Sequence, residues 1–94
     1  MRKPKTHELK TWPDVYQATE DGTKTHEYRK DDRDFQLGDI LHLREWKPSV
    51  DVAVGTYTGR SIRALVTHID KGPTWGIAPG FAVMSIRLLT PGKA

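Results

Sequence analysis

Trp12, Val15, Tyr16 and Thr19 fall at i, i+3, i+4 and i+7, the spacing that sets side chains on one face of a short helix. The flanking residues fit that helix. Thr11 is placed to cap it, Pro13 sits in the first turn where its missing N–H costs nothing, and Asp14 suits the positive end. Gly22 supplies the left-handed exit that β-branched Thr23 could not adopt cheaply. Elsewhere the period is two. "THELK" (6–10) is a short opening strand, and "KTHEYRK" (24–30) alternates as a second. "ILHLREW" (40–46), "SIRALVTHI" (61–69) and "FAVMSIRLL" (81–89) are the clearest strands, mixing aliphatic and polar residues.

The stretches between are read as connections. "DDRDFQLGD" is a polar loop from which Phe35 and Leu37 tuck onto the core. Turn signals at Pro48, Gly55 and Gly59 predict a long hairpin connection over 47–60. "DKGPTWGIAPG" (70–80) is a Gly- and Pro-rich loop, and "TPGKA" a tail. One early helix and five or six strands predict a single α+β domain over residues 1–94, with a curled, mostly antiparallel sheet. Closing such a sheet into a small barrel limits its exposed edges.

Composition narrows the class. With 36% hydrophobic residues among 94, the chain can build one modest core. No cysteine is present, which removes disulfides, thiolate nucleophiles and Cys-based zinc sites and fits a cytoplasmic setting. The basic start "MRKPKTHELK" is followed by no apolar stretch of a signal peptide, and no apolar run approaches the ~18 residues of a membrane span. A net charge of +3 favours a phosphate-bearing partner, but interspersed acids argue against a general nucleic-acid coat. His7, His26, His42 and His68 are too scattered to suggest a metal site, and no Walker, GxGxxG or GxSxG motif occurs. No cofactor is expected.

"DGTKTHEYRK" (21–30) is the stretch that invites chemistry. Read as structure, it is an edge strand whose charges face solvent and deter pairing. Read as function, a helix exit feeding a strand puts Lys24 at a sheet end, where clefts form. Glu27 and Arg29 share a strand face. Lys24 and Glu27 converge only if Lys24 lies in the turn before the pleat begins, or if a bulge intervenes.

Gly22, Lys24, Glu27 and Arg29 in "GTKTHEYR" fit the pattern Gly-x-Lys-x-x-Glu-x-Arg, and with it the chain resembles the ASCH domains of the PUA-like superfamily. "HELKTWPDVYQATEDG" is similar to that family's opening strand and helix, and "RKDDRDFQLGDILHLREW" to its loop and "GD" strand. "GFAVMSIRLL" resembles the closing strand of a small phage- and bacteria-associated branch. The resemblance spans His7 to Leu88. It implies a small PUA-like β-barrel with a cleft beside the helix, lined by the motif, and an association with RNA or modified bases. Some small relatives are amidohydrolases that deacylate N4-acetylcytidine; their motif lysine is catalytic, which carries over to Lys24. Their second catalytic position is a threonine where this chain has Glu27, and a further carboxylate from a later helical stretch has no counterpart here.

Amide hydrolysis needs an activated nucleophile, a stabilised oxyanion and a proton for the leaving amine. The nucleophile would be water activated by Glu27, or else Thr25 or Lys24; Lys24 would stabilise the oxyanion or shuttle a proton, and Arg29 would orient Glu27 or hold a substrate oxygen. Trp12 could stack on a base, His7 and Lys10 could supply a hydrogen bond and a charge, and Arg33 and Trp75 are loop candidates for the same ligand. Core packing suits Tyr16. Three functions follow: an amidohydrolase of acylated cytosine nucleosides, a non-catalytic module binding RNA or a modified nucleotide, and a ribonuclease, which lacks a clear histidine pair.

Overall fold

Residues 2–51 and 53–89 are described by a computed structural model. In chain order the elements are β1 (Thr6–Thr11), α1 (Pro13–Glu20), β2 (His26–Lys30), β3 (Ile40–Pro48), β4 (Gly55–Lys71), a 3₁₀ turn (Thr74–Gly76) and β5 (Phe81–Leu88). Alternation places the core. Leu9 on β1, Leu41 and Leu43 on β3, Ile62, Ala64 and Val66 on β4, and Ala82, Met84 and Ile86 on β5 are all buried on one face. Tyr16 from α1 and Phe35 from the β2–β3 loop fill the concavity.

The strands form one sheet in the order β1-β3-β4-β5-β2. β1 runs parallel to β3, and the other three pairings are antiparallel. The sheet curls into a half-barrel, so that its edge strands β1 and β2 face each other across a seam. Side chains rather than a strand ladder cross it. Arg29 donates to the Lys10 carbonyl at 2.7 Å, and Arg33 donates to the Glu8 carbonyl at 2.6 Å. These bonds satisfy main-chain acceptors that an open edge would leave to solvent or to another strand.

Local chemistry refines several expectations. Thr11 is not the helix cap; it is the last residue of β1, paired in register with Glu45. Extended Trp12 takes the cap position without a side-chain hydrogen bond, and its carbonyl accepts the first helical bond from the Tyr16 amide. Gly22 does adopt a positive φ, +85°, and turns the chain toward β2. Leu37 does not tuck in but stands exposed; Phe35 is the apolar side chain that the loop buries.

The connection between β3 and β4 is far shorter than expected, spanning residues 49–54 between the pairing of Pro48 with Gly55. Both suspected turn glycines lie within β4. A Cβ on Gly55 would meet the Lys47 carbonyl oxygen at 2.4 Å and the Trp46 ring at 2.6 Å, so a close approach of strands explains it. Gly59, at φ +94°, sits where three β4 residues oppose Glu45 alone; such a bulge bends the strand and sharpens the curl.

A buried carboxylate fastens the N-terminal segment. Asp39 is fully buried and accepts both guanidinium nitrogens of Arg2 at 2.9 and 2.8 Å. It also accepts the Lys5 amide at 3.0 Å and the Gln36 amide at 3.0 Å, and meets His7 Nε2 at 2.8 Å. Burial alone would raise the Asp39 pKa, but Arg2, the Lys5 amide, His7 and the Gln36 amide together hold it well below the usual carboxylate range. His7 is thus committed to this lock, its ring edge packed on Phe35 at 4.8 Å between centroids.

Candidate functional site

The seam between β1 and β2 opens at one end into a cleft of about 500 Å³, within the size range of small-ligand sites. Three local features build it. The helix exit returns the chain on itself, with the Thr23 and Lys24 amides both donating to the Ala18 carbonyl at 3.0 Å. Lys24 therefore lies in the turn before the pleat, as its convergence with Glu27 requires, since β2 begins only at His26. On β2, Glu27 points to the same side as Met84, its register partner on β5.

Glu27 is 3% exposed and held from both sides. Lys24 Nζ donates to Oε1 at 3.1 Å, and Arg29 Nε donates to Oε2 at 2.5 Å. Lys24 Nζ also donates to the His26 carbonyl, and Arg29 uses a second nitrogen on the Lys10 carbonyl. Both oxygens of Glu27 therefore face cations. Arg29 is the latch between carboxylate and opposite strand, so orienting Glu27 is the role its geometry fits.

Lys10 and Trp12 form the opposite wall. Trp46 backs both: the Lys10 ammonium lies 4.7 Å from its ring centroid, and the Trp12 ring is 6.4 Å away at 48°. Trp12 remains 47% exposed, leaving a ring available for stacking. His26, Tyr28 and Lys30 complete the rim. Both faces of β2 contribute because the cleft runs alongside an edge strand. Four cations (Lys10, Lys24, Arg29 and Lys30) surround one carboxylate in the lining.

The cleft thus gathers Lys24, Glu27, Arg29, Lys10 and Trp12 from the sequence candidates and leaves out three. His7 lies in the Asp39 lock, turned from the seam by a partner 32 residues away. Arg33 caps the Glu8 carbonyl beyond the cleft. Trp75 is on the β4–β5 loop, 82% exposed, and does not line the cleft. Sequence reasoning assigned no role to Lys30 or Tyr28; strand alternation could have flagged them had β2 been known to be an edge. Among the described residues, no helix is long and apolar enough to cross a membrane.

Geometry apart, the chain has recognisable relatives. An uncharacterized 12.9 kDa protein in the GpA 3′ region of Escherichia phage P2 is 34% identical over 71 residues. That similarity covers 76% of this chain but 60% of the phage protein, so the chain spans under two thirds of its relative. A family model described as a domain of unknown function, DUF3850, matches residues 6–86. Running from the start of β1 almost to the end of β5, the match shows that the chain belongs to the DUF3850 family.

Proposed function

We propose that the seam cleft is a recognition site for a single nucleotide unit, with an N4-acylated cytosine as the candidate base. The observation that carries this is the clamped Glu27 at the base of a cation-rimmed cleft walled by the half-exposed Trp12 ring. A planar base can stack on Trp12, while Lys10 and Lys30 lie where a phosphate would find positive charge. Glu27 can accept from an exocyclic amine or an amide N–H of the base, and its two cations fix it for that purpose. The half-barrel with its helix between β1 and β2 supports the ASCH and PUA-like resemblance, which supplies the choice of base.

Deacylation is the second reading, and the Lys24–Glu27 contact favours it. Water would add to the acyl carbonyl with Lys24 facing the oxyanion, the C–N bond would break, and a proton would pass to the departing amine. The products are the free cytosine nucleotide and a carboxylic acid. Against this, Glu27 is the one carboxylate among the described residues that line the cleft, and both its oxygens already accept hydrogen bonds, so the site is better built to hold a ligand than to take a proton from water.

The test is calorimetric titration with N4-acetylcytidine 5′-monophosphate and CMP, with conversion of the first to CMP followed by absorbance. Saturable binding that weakens with salt is expected; absence of binding by both overturns the proposal. Turnover lost in Lys24→Ala would promote the deacylase reading, and binding without turnover would retire it.

A further inference from the structure

Beyond the cleft, the outer face of β2, β5 and β4 is neither core nor inert surface. Because Ala82, Met84 and Ile86 point inward, Phe81, Val83, Ser85 and Arg87 share the outward face of β5. Their register partners extend it: Lys30 opposite Phe81, Tyr28 opposite Val83 and His26 opposite Ser85 on β2, with Leu65 opposite Arg87 on β4. Tyr28 lines the cleft and also stacks on Phe81, with ring centroids 5.3 Å apart and planes 19° from parallel. At 50% exposure Tyr28 presents an aromatic face at the point where the cleft opens onto the sheet.

Charge continues along the same surface. Lys30, Arg63 and Arg87 are exposed, and among the described residues none of them makes an ion pair. Arg63 lies two residues before Leu65, placing it diagonally from Arg87 at ~7–8 Å between backbones. Two exposed arginines at diagonal positions on adjacent strands, with no carboxylate at the positions between them, leave a place for an anion. Asp70 is the carboxylate on the outward face of this part of β4, and it is engaged by His68 at 3.2 Å. From Phe81 to Arg87 the surface runs about 20 Å.

We infer that this face is a track for a single-stranded polynucleotide, and that the nucleotide bound in the cleft belongs to a polymer. The inference rests on the cleft reading and names its ligand class. Tyr28 on Phe81 offers a platform for the base next to the one in the cleft, and Arg63 with Arg87 holds phosphates farther along. A free nucleoside would need none of these groups. A protein strand is the poorer occupant, because among the described residues of this face Lys30, Arg63 and Arg87 outnumber the single carboxylate, Asp70.

The experiment compares CMP, by calorimetry, with a fluorescein-labelled eight-nucleotide oligocytidine RNA, by anisotropy, on the parent and on an Arg63→Ala/Arg87→Ala variant. Both substitutions lie outside the cleft on an exposed surface, where the fold tolerates truncation. The RNA is expected to bind the parent at least tenfold more tightly than CMP. The variant should lose about tenfold for RNA and nothing for CMP, and its salt slope should fall by roughly 1.4, two single-strand phosphate contacts' worth. CMP binding with no gain for RNA, or RNA binding untouched in the variant, overturns the track and leaves the cleft standing. Failure of both ligands removes the cleft reading and the track with it. A concentration-dependent dimer that Arg87→Glu disperses would assign the face to a second copy of the chain and overturn the track as well.

Discussion

Asp39→Ala is expected to cost about 3–5 kcal/mol, the usual penalty for removing one partner of a buried ion pair. That is a large share of the roughly 5–14 kcal/mol available to a domain of this length. The side chain is fully buried and accepts from Arg2, Lys5, His7 and Gln36 at once. Arg2 can swing toward water, but the Lys5 and Gln36 amides and the buried His7 lose their acceptor. Thermal melts followed by circular dichroism should show Tm lowered by about 12–40 °C, taking ~4–8 °C per kcal/mol for this size. A drop of only a few degrees would mean that the lock is redundant.

The same lock sets a pH dependence. The pKa of Asp39 is held below the ordinary carboxylate range in the folded protein, so the unfolded chain binds the extra proton first as pH falls. Its stabilisation is therefore complete above about pH 4, the unfolded value, and lost as pH drops from there through the depressed folded value. Asp39→Asn should flatten that acid limb. An equally steep limb in the variant would place the acid sensitivity elsewhere.

The second large effect is expected at Glu27. Glu27→Ala should weaken nucleotide binding at least tenfold, about 1.4 kcal/mol. The loss is indirect as well as direct. Without the carboxylate, Lys24 and Arg29 repel each other across its place, and Arg29 loses one of the two anchors that hold β2 against the Lys10 carbonyl. Amide exchange in β1 and β2 should quicken together as the seam loosens. Lys24 and Arg29 are each about a quarter exposed, at 23% and 28%, and solvent keeps the stability cost near 1–3 kcal/mol. Affinity for CMP that rises instead would mean that Glu27 only moderates a non-specific anion sink.

Much of this architecture is legible in local sequence. The i, i+3, i+4 spacing around Tyr16 marks the helix, and the alternation in "ILHLREW" and "FAVMSIRLL" marks β3 and β5, because each pattern reflects one buried face. The Lys24–Glu27 pair was half readable: alternation runs "KTHEYRK" as a strand from Lys24, and the two converge only because the pleat begins at His26 and leaves Lys24 in the turn. What escaped depends on which edges meet. Nothing near Arg33 announces the Glu8 carbonyl, and nothing near His7 announces Asp39, because those contacts join segments 25 and 32 residues apart. Gly55 and Gly59 misled for another reason: close strand approach and a bulge demand glycine as firmly as a turn does. Trp75 shows the converse, an aromatic in a Gly-rich loop that the loop simply holds out to solvent.

The most direct measurement is an NMR titration of the ¹⁵N-labelled protein with N4-acetylcytidine 5′-monophosphate, mapping which resonances move. Shifts are expected in the Trp12 indole N–H and in the backbone amides of Lys10, Lys24, Glu27 and Arg29, with the Trp75 indole and the Asp39 lock unmoved. Shifts gathered at the Trp75 loop, or none at saturating ligand, would contradict the seam cleft as the functional site.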